Sequence, residues 1–210
     1  MWNHAGDAVA VALRGTFFTT DWNVYKLEWN GSGWDAQDQL TSDDMCVQPH
    51  SKFTFTADDN YLVFTSRSPC TRAGEVEMYA VKTDGSNDGS SLAQLEAAGQ
   101  KISDGEGYYW YDAQWSRSDC SSRGDRLLVA MMDMNYPGDI ELFTLYGTKN
   151  AKGLYTEQTS NTPEQITRLG GNNTWSFQGA WSKDCSKIVF TVWEGSGTPP
   201  TTGIYEIDLN

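Results

Sequence analysis

The sequence predicts an all-β protein built from short strands in repeated antiparallel meanders, and three observations carry that prediction. The 210-residue chain holds nine Trp, ten Tyr, eight Phe and twenty Gly. Flat aromatic rings suit a pleated surface, and glycine suits the turns between strands. The apolar runs are short and bounded by clusters of Gly, Asp, Asn and Ser, which is the punctuation of strands rather than of helices. Finally, four segments of the chain can be laid on one another with the same parts in the same order.

Each segment opens on an aromatic anchor and a polar turn: "WNHAGD" at Trp2, "FTADDN" at Phe55, "WSRSDC" at Trp115 and "WSKDCS" at Trp181. An apolar strand follows: "AVAVAL" (8–13), "YLVFTS" (61–66), "RLLVAM" (126–131) and "KIVFTV" (187–192). The next strand carries an aromatic, in "NVYKLEW", "EVEMYAVKTDG", "DIELFTLYG" and "GIYEIDLN". A closing element completes three of the four: "QLTSD" (39–43), "KISDG" (101–105) and "QITRL" (165–169). Only "SSLAQLEAAGQ" (90–100) suits a helix, one or two amphipathic turns carrying Leu92, Leu95 and Glu96. One four-stranded meander cannot bury both of its faces. Several stacked around an axis can, and that is the β-propeller solution.

In this order of parts the chain resembles the TolB-like β-propeller repeat, a WD-like propeller family. "AQWSRSDCSSRGDRLLVA" and "GAWSKDCSKIVFTV" stand where that family has a Trp-Ser-Pro-Asp-Gly turn and its following strand. The resemblance runs over essentially the whole chain. No unit keeps Pro-Asp-Gly itself, and the second has Phe55 in place of Trp. It implies one propeller domain of about four four-stranded blades: an incomplete blade over 1–43, blades over 44–104 and 105–169, and an incomplete one over 170–210. It also implies a bacterial-type periplasmic or extracellular setting. Two completions of the ring stay open: a longer propeller of which this chain is part, or open blade edges that pair between copies.

Charge narrows the function classes. A net charge of -13 and a pI near 4.4 argue against nucleic acid, which demands clustered Lys and Arg. No run approaches the ~20 apolar residues of a transmembrane helix, and "WNHAGDAV" after Met1 has none of the features of a signal peptide. Only His4 and His50 offer an imidazole, and no nucleophile elbow, metalloprotease helix or phosphate loop is present. No catalytic residue is assigned. The expectation is a non-catalytic binding or assembly module whose protein or glycan partner docks on the loop face. Alternatives are the propeller part of a polysaccharide-acting enzyme or serine peptidase, and a structural subunit that assembles through open blade edges.

The candidate site residues follow from strand alternation. Over "YYWYDAQW", Tyr109, Tyr111, Ala113 and Trp115 should share one face and Tyr108, Trp110, Asp112 and Gln114 the other. Trp115 then packs between blades. Tyr108, Tyr109 and Trp110 emerge where loops lead into the inner strand, beside Trp175, Tyr136 and Trp193, as an aromatic mouth for a neutral sugar or a peptide ring. Three residues before their anchors, Lys52, Asp112 and Gln178 approach the central channel. Cys46 and Cys70 flank one hairpin end, so a disulfide between them is geometrically reasonable; Cys120 and Cys185 occupy equivalent turns. No CxxC pair suggests a metal site, and no cofactor is expected. Calcium is left open by "DGSNDGSS" (84–91), although an Asp-Gly turn explains that stretch better. Sequons stand at Asn30 and Asn172.

Overall fold

The computed structural model describes residues 1–14, 22–35, 38–48, 52–68, 75–86, 89–103, 108–116, 125–133, 139–156, 163–169, 174–195 and 201–209. Four antiparallel meanders follow one another along the chain. The first is β1 (Ala8–Arg14), β2 (Trp22–Glu28) and β3 (Asp38–Gln39). The second is β4 (Thr54–Phe55), β5 (Tyr61–Ser68) and β6 (Glu75–Lys82), followed by helix α1 (Leu92–Ala97). The third is β7 (Tyr108–Trp115), β8 (Leu127–Asp133), β9 (Ile140–Leu145) and β10 (Glu164–Gln165). The fourth is β11 (Thr174–Trp181), β12 (Lys187–Glu194) and β13 (Thr201–Asp208). A parallel contact of Trp175 with Ile140 joins the last two into a seven-stranded sheet.

The same register recurs in every meander. The anchors Trp2, Phe55, Trp115 and Trp181 pair with Val9, Leu62, Leu127 and Ile188 of the following strand. Because side chains alternate across a strand, each second strand has one flank facing the preceding meander and one facing the next. Leu62 and Phe64 pack with Ala10 and Val24 of the first meander, whereas Tyr61 and Val63 pack with Trp115 and Leu127 of the third. Leu128 and Ala130 in turn meet Ile188 and Phe190 of the fourth. Full burial of each such side chain is worth about 1.5–3 kcal/mol, so flank contact dominates the stability of the stack. Gly179 fits here because a Cβ at that position would lie 2.6 Å from Leu128 Cδ2.

The closing elements are shorter than their sequences suggest, and a side-chain substitution explains why. After two paired residues the strand gives way to a hydroxyl that takes the place of a backbone acceptor. Thr41 Oγ1 accepts the Val24 N–H at 2.8 Å, Ser103 Oγ the Met78 N–H at 3.1 Å and Thr167 Oγ1 the Leu142 N–H at 2.8 Å. The apolar residue just before each hydroxyl, Leu40, Ile102 or Ile166, donates its own N–H to the same three residues' carbonyls. The Leu-Thr, Ile-Ser and Ile-Thr pairs of the closing elements are therefore one hydrogen-bonding device used three times. In the second meander the closing strand shrinks to a single bridge, Tyr79 with Lys101.

Helix α1 forms as its sequence indicates. Ser91 caps it by accepting the Gln94 N–H, Gln94 Oε1 accepts the Ser90 N–H at 2.7 Å, and Leu92 and Leu95 face the core. Among the described residues no helix is long and apolar enough to cross a membrane.

Alternation fails at two places that the sequence did not mark, one in β7 and a matching one in β11. The β7–β8 register shifts between Trp110 and Ala113, a β-bulge that takes up one extra residue. The parity of β7 inverts there, so Trp110 joins Ala113 and Trp115 in the core between second and third meanders, while Tyr111 turns to the fourth. Trp110 is fully buried and does not line a mouth.

Candidate functional site

The turn after each anchor sets the geometry of the site. In the first, second and fourth meanders the residue four after the anchor has a left-handed backbone: Gly6 (φ +81°), Asp59 (φ +58°) and Cys185 (φ +57°). Only glycine adopts that conformation without strain, so the non-glycine turns need side-chain support. Asp184 supplies it by accepting from Ser182 Oγ at 2.7 Å and from Ser186 N and Oγ at 3.2 and 2.9 Å. Asp58 does the same with Thr56 and Asn60. Burial would raise the Asp58 carboxyl, but those donors outweigh it and hold the group below its ordinary range. Asp59 links turns across meanders, its carboxylate accepting the His4 and Ala5 N–H groups at 2.9 and 3.0 Å.

Asp184 gives a direct test. The Ser182 hydroxyl, with the Ser186 amide and hydroxyl, holds its pKa at about 2, against about 3.9 for a free aspartate. The folded value lies below the unfolded one, so these bonds contribute stability above about pH 4 that is lost as pH falls towards 2. A carboxyl chemical-shift titration should therefore show the Asp184 midpoint near 2; a free-aspartate midpoint would mean the turn is not held this way.

The turns bring together, at one end of the inner strands, a pocket of about 320 Å³ whose wall includes Trp2, His4, Thr54, Gln114, Trp181 and Lys183. All four meanders contribute. The wall is cross-braced: Thr54 Oγ1 accepts the Trp115 N–H at 2.7 Å, and Gln114 Oε1 accepts the Trp181 N–H at 3.2 Å. Trp181 Nε1 donates back to the Gln114 carbonyl at 3.2 Å. Lys183 and His4 are the charged or titratable side chains on this wall, and no carboxylate lines it among the described residues. The sequence reading did not single out His4, Thr54, Gln114 or Lys183. The signal was present in the repeat, because every wall residue lies within two or three positions of an anchor.

Lys52, Asp112 and Gln178 meet across the axis. Asp112 lies in the bulge of β7, and Gln178 lies in the matching irregularity of β11, with a left-handed backbone at φ +55°. The Asp112 carboxylate accepts the Lys52 N–H at 3.0 Å and the Gln178 N–H at 2.9 Å, tying together the second, third and fourth meanders. Lys52 Nζ donates to the Gly179 carbonyl at 3.0 Å. Burial lowers the Lys52 pKa from its ordinary value, and the Asp112 charge opposes that shift.

Of the expected aromatic mouth, the described side chains are those of Trp110, Trp175 and Trp193. Trp175 and Trp193 stack with ring centroids 4.3 Å apart, both half-buried, at the end of β11 opposite Trp181. The side chains of Tyr108 and Tyr109, and the whole of Tyr136, lie outside the described residues. Cys46 and Cys185 are both disulfide-bonded, and Cys70 and Cys120 also lie outside the described residues. Asp84 Oδ1 accepts from Ser86 N and Oγ at 2.8 and 2.6 Å, a turn closed on itself. Among the described residues no group of three or more His, Cys, Asp or Glu side chains is placed to hold a metal ion.

No family model matches the chain, and no curated protein sequence matches it. Solved structures do resemble it. One comes from a structural and mechanistic analysis of two prolyl endopeptidases, with a TM-score of 0.51 and 11% identity, over 99% of this chain and 26% of that one. Another comes from a complex with RGII, with a TM-score of 0.39 and 6% identity, over 96% of this chain and 70% of that one. The chain thus spans about a quarter of the length of the peptidase it resembles. Low identity restricts the first likeness to fold, and with the flank-to-flank meanders it makes this an all-β, propeller-like protein.

Proposed function

We propose that the chain is a non-catalytic binding module, a β-propeller of four TolB-like blades with the first and last incomplete, which seats a protein or glycan partner over the pocket at the inner-strand ends. The composition of the pocket wall carries this reading. Its volume, about 320 Å³, falls within the roughly 300–1,000 Å³ of small-ligand sites. The indoles of Trp2 and Trp181 offer apolar surface, and Lys183 and His4 offer donors to an acceptor or carboxylate on the partner. Covalent chemistry at a hydroxyl needs a nucleophile free to be activated and facing the cavity. Here the Thr54 hydroxyl braces Trp115 and the Ser182 hydroxyl closes its own turn on Asp184.

One observation favours a second docking position at the opposite end: the half-buried Trp175–Trp193 stack. Disulfide-bonded Cys46 and Cys185 support an oxidising, periplasmic or extracellular setting. We assign Cys70 as the partner of Cys46; a non-reducing peptide map should recover those two joined, and a Cys46 peptide joined elsewhere would refute the pairing.

The site is tested by probing the protein with immobilised acidic and neutral peptides and oligosaccharides. Lys183→Glu should weaken binding of the best probe by tenfold or more, while Trp193→Ala leaves it unchanged. The reverse pattern would move the site to the Trp175–Trp193 end. Turnover of any probe would replace the binding reading with an enzymatic one.

A further inference from the structure

The two outer flanks of the stack are halves of an interface that the chain makes three times internally. Register makes the comparison residue by residue. In the third meander, Trp115, Leu127, Val129 and Met131 form the flank that packs on the second. The same register places Trp2, Val9, Val11 and Leu13 on the free flank of the first meander. The match extends to the aromatic partner of the anchor: Trp34 lies 5.5 Å from Trp2, as Tyr155 lies 5.3 Å from Trp115. Yet Met131 is 2% exposed and Leu13 40%, and Trp115 is 2% exposed and Trp2 56%. A ladder of this composition standing in water is an interface without its other half.

The opposite flank completes the argument. Val24, Met78 and Leu142, opposite Ala12, Thr65 and Ala130 in their ladders, each face the next meander and are at most 1% exposed. The equivalent residue of the fourth meander is Ile204, opposite Thr191, and it is 80% exposed. Beside it stands Val189, the counterpart of buried Leu128 and Val63. One free flank is therefore of the backward-facing kind and the other of the forward-facing kind, which is the combination that packs at each internal interface.

We propose that these flanks form a fourth interface of the same type between two copies of this chain, the Ile204 flank of one packing on the Trp2–Leu13 flank of the other. The contact joins two different surfaces, so it closes into a ring or runs on as a filament, according to the rotation per copy. Trp2 borders both this flank and the pocket wall, but Leu13 and Ile204 lie off that wall and Lys183 lies off these flanks, so variants at those positions let either proposal fail without the other.

Sedimentation across a dilution series tests it, in moderate salt because copies of charge -13 repel one another. The wild type should show a dimer or larger species that dissociates on dilution. Leu13→Asp and Ile204→Asp should each remain monomeric, with unchanged circular dichroism and thermal melting because both side chains are exposed. Mixed in equal amounts they should restore a species of twice the monomer mass and nothing larger, since each keeps the half the other has lost. A wild type that is monomeric at every concentration overturns the proposal, and means that another chain or another meander covers these flanks. So does a mixture that stays monomeric while the wild type associates.

Discussion

Replacing Trp115 by alanine is expected to cost about 3–5 kcal/mol of folding stability, the range of large aromatic truncations in a packed core. The indole is 2% exposed and lies in the cluster where Tyr61, Val63 and Met78 of the second meander meet Leu127 and Val129 of the third. It stacks on Tyr155 at 5.3 Å and 20°, and Lys149 Nζ sits 5.5 Å from its ring centre. Its Nε1 donates to Asp125, which also pairs with Lys149. Truncation therefore leaves a cavity across an inter-meander seam and removes a donor from a half-buried carboxylate. Trp115→Phe should keep much of the stacking and lose only the donor, and so cost a smaller part. Urea unfolding of both variants measures this. A loss under about 1 kcal/mol for the alanine variant would mean that the seam does not hold the meanders together. Trp29→Ala, at an indole 46% exposed whose ring meets Trp34 edge-on, is the comparison and should cost much less, about 1 kcal/mol.

Much of this seam can be read in the sequence, because period-two alternation and a repeated anchor are local signals. "YLVF" announces two flanks, and the structure sends Tyr61 and Val63 one way and Leu62 and Phe64 the other. The helix at Leu92–Ala97 is legible from its cap and its two inward leucines. What could not be read depends on one-residue irregularities. "WYDA" carries no glycine or proline to mark a bulge, and the register of β7 is set by β8 and by the meanders on either side. One extra residue moved Trp110 from an expected rim to the core. The left-handed turns were hidden for a related reason. The left-handed position held by Gly6 in the first meander is filled by Asp59 and Cys185 in the second and fourth, whose cost is offset by carboxylate acceptors that become neighbours only once the turn has formed. The pocket was hidden differently. Its residues are spread from Trp2 to Lys183 and share only a position relative to their anchors, so the repeat had to be folded around an axis before they became one wall.

Asp112→Ala should be the most damaging change to a charged residue. The carboxylate is buried and accepts amide N–H groups from two other meanders, Lys52 at 3.0 Å and Gln178 at 2.9 Å. Hydrogen bonds to a charged group are worth about 1.5–3 kcal/mol each, and alanine removes both from a part-buried site in which the Gln178 end is open to solvent, so a loss on the order of 2–3 kcal/mol is expected. Asp112→Asn keeps one acceptor oxygen but turns an NH₂ group towards the other amide, and should recover only part. The pH dependence separates this from simple loss of packing. Burial lowers the Lys52 pKa from 10.5, and the Asp112 charge limits that lowering. Without Asp112 the lysine is depressed further. A base whose folded pKa is below its unfolded value leaves the unfolded chain holding more protons between the two, so stability rises with pH across that interval. The Asp112→Ala deficit should therefore be greatest at neutral pH and shrink as pH rises towards 10.5, where the folded Lys52 is deprotonated in wild type and variant alike and no longer needs a counter-charge. A deficit that is the same at neutral and alkaline pH would show that Asp112 acts on the two amides alone and that the Lys52 charge is balanced by the Gly179 carbonyl and solvent.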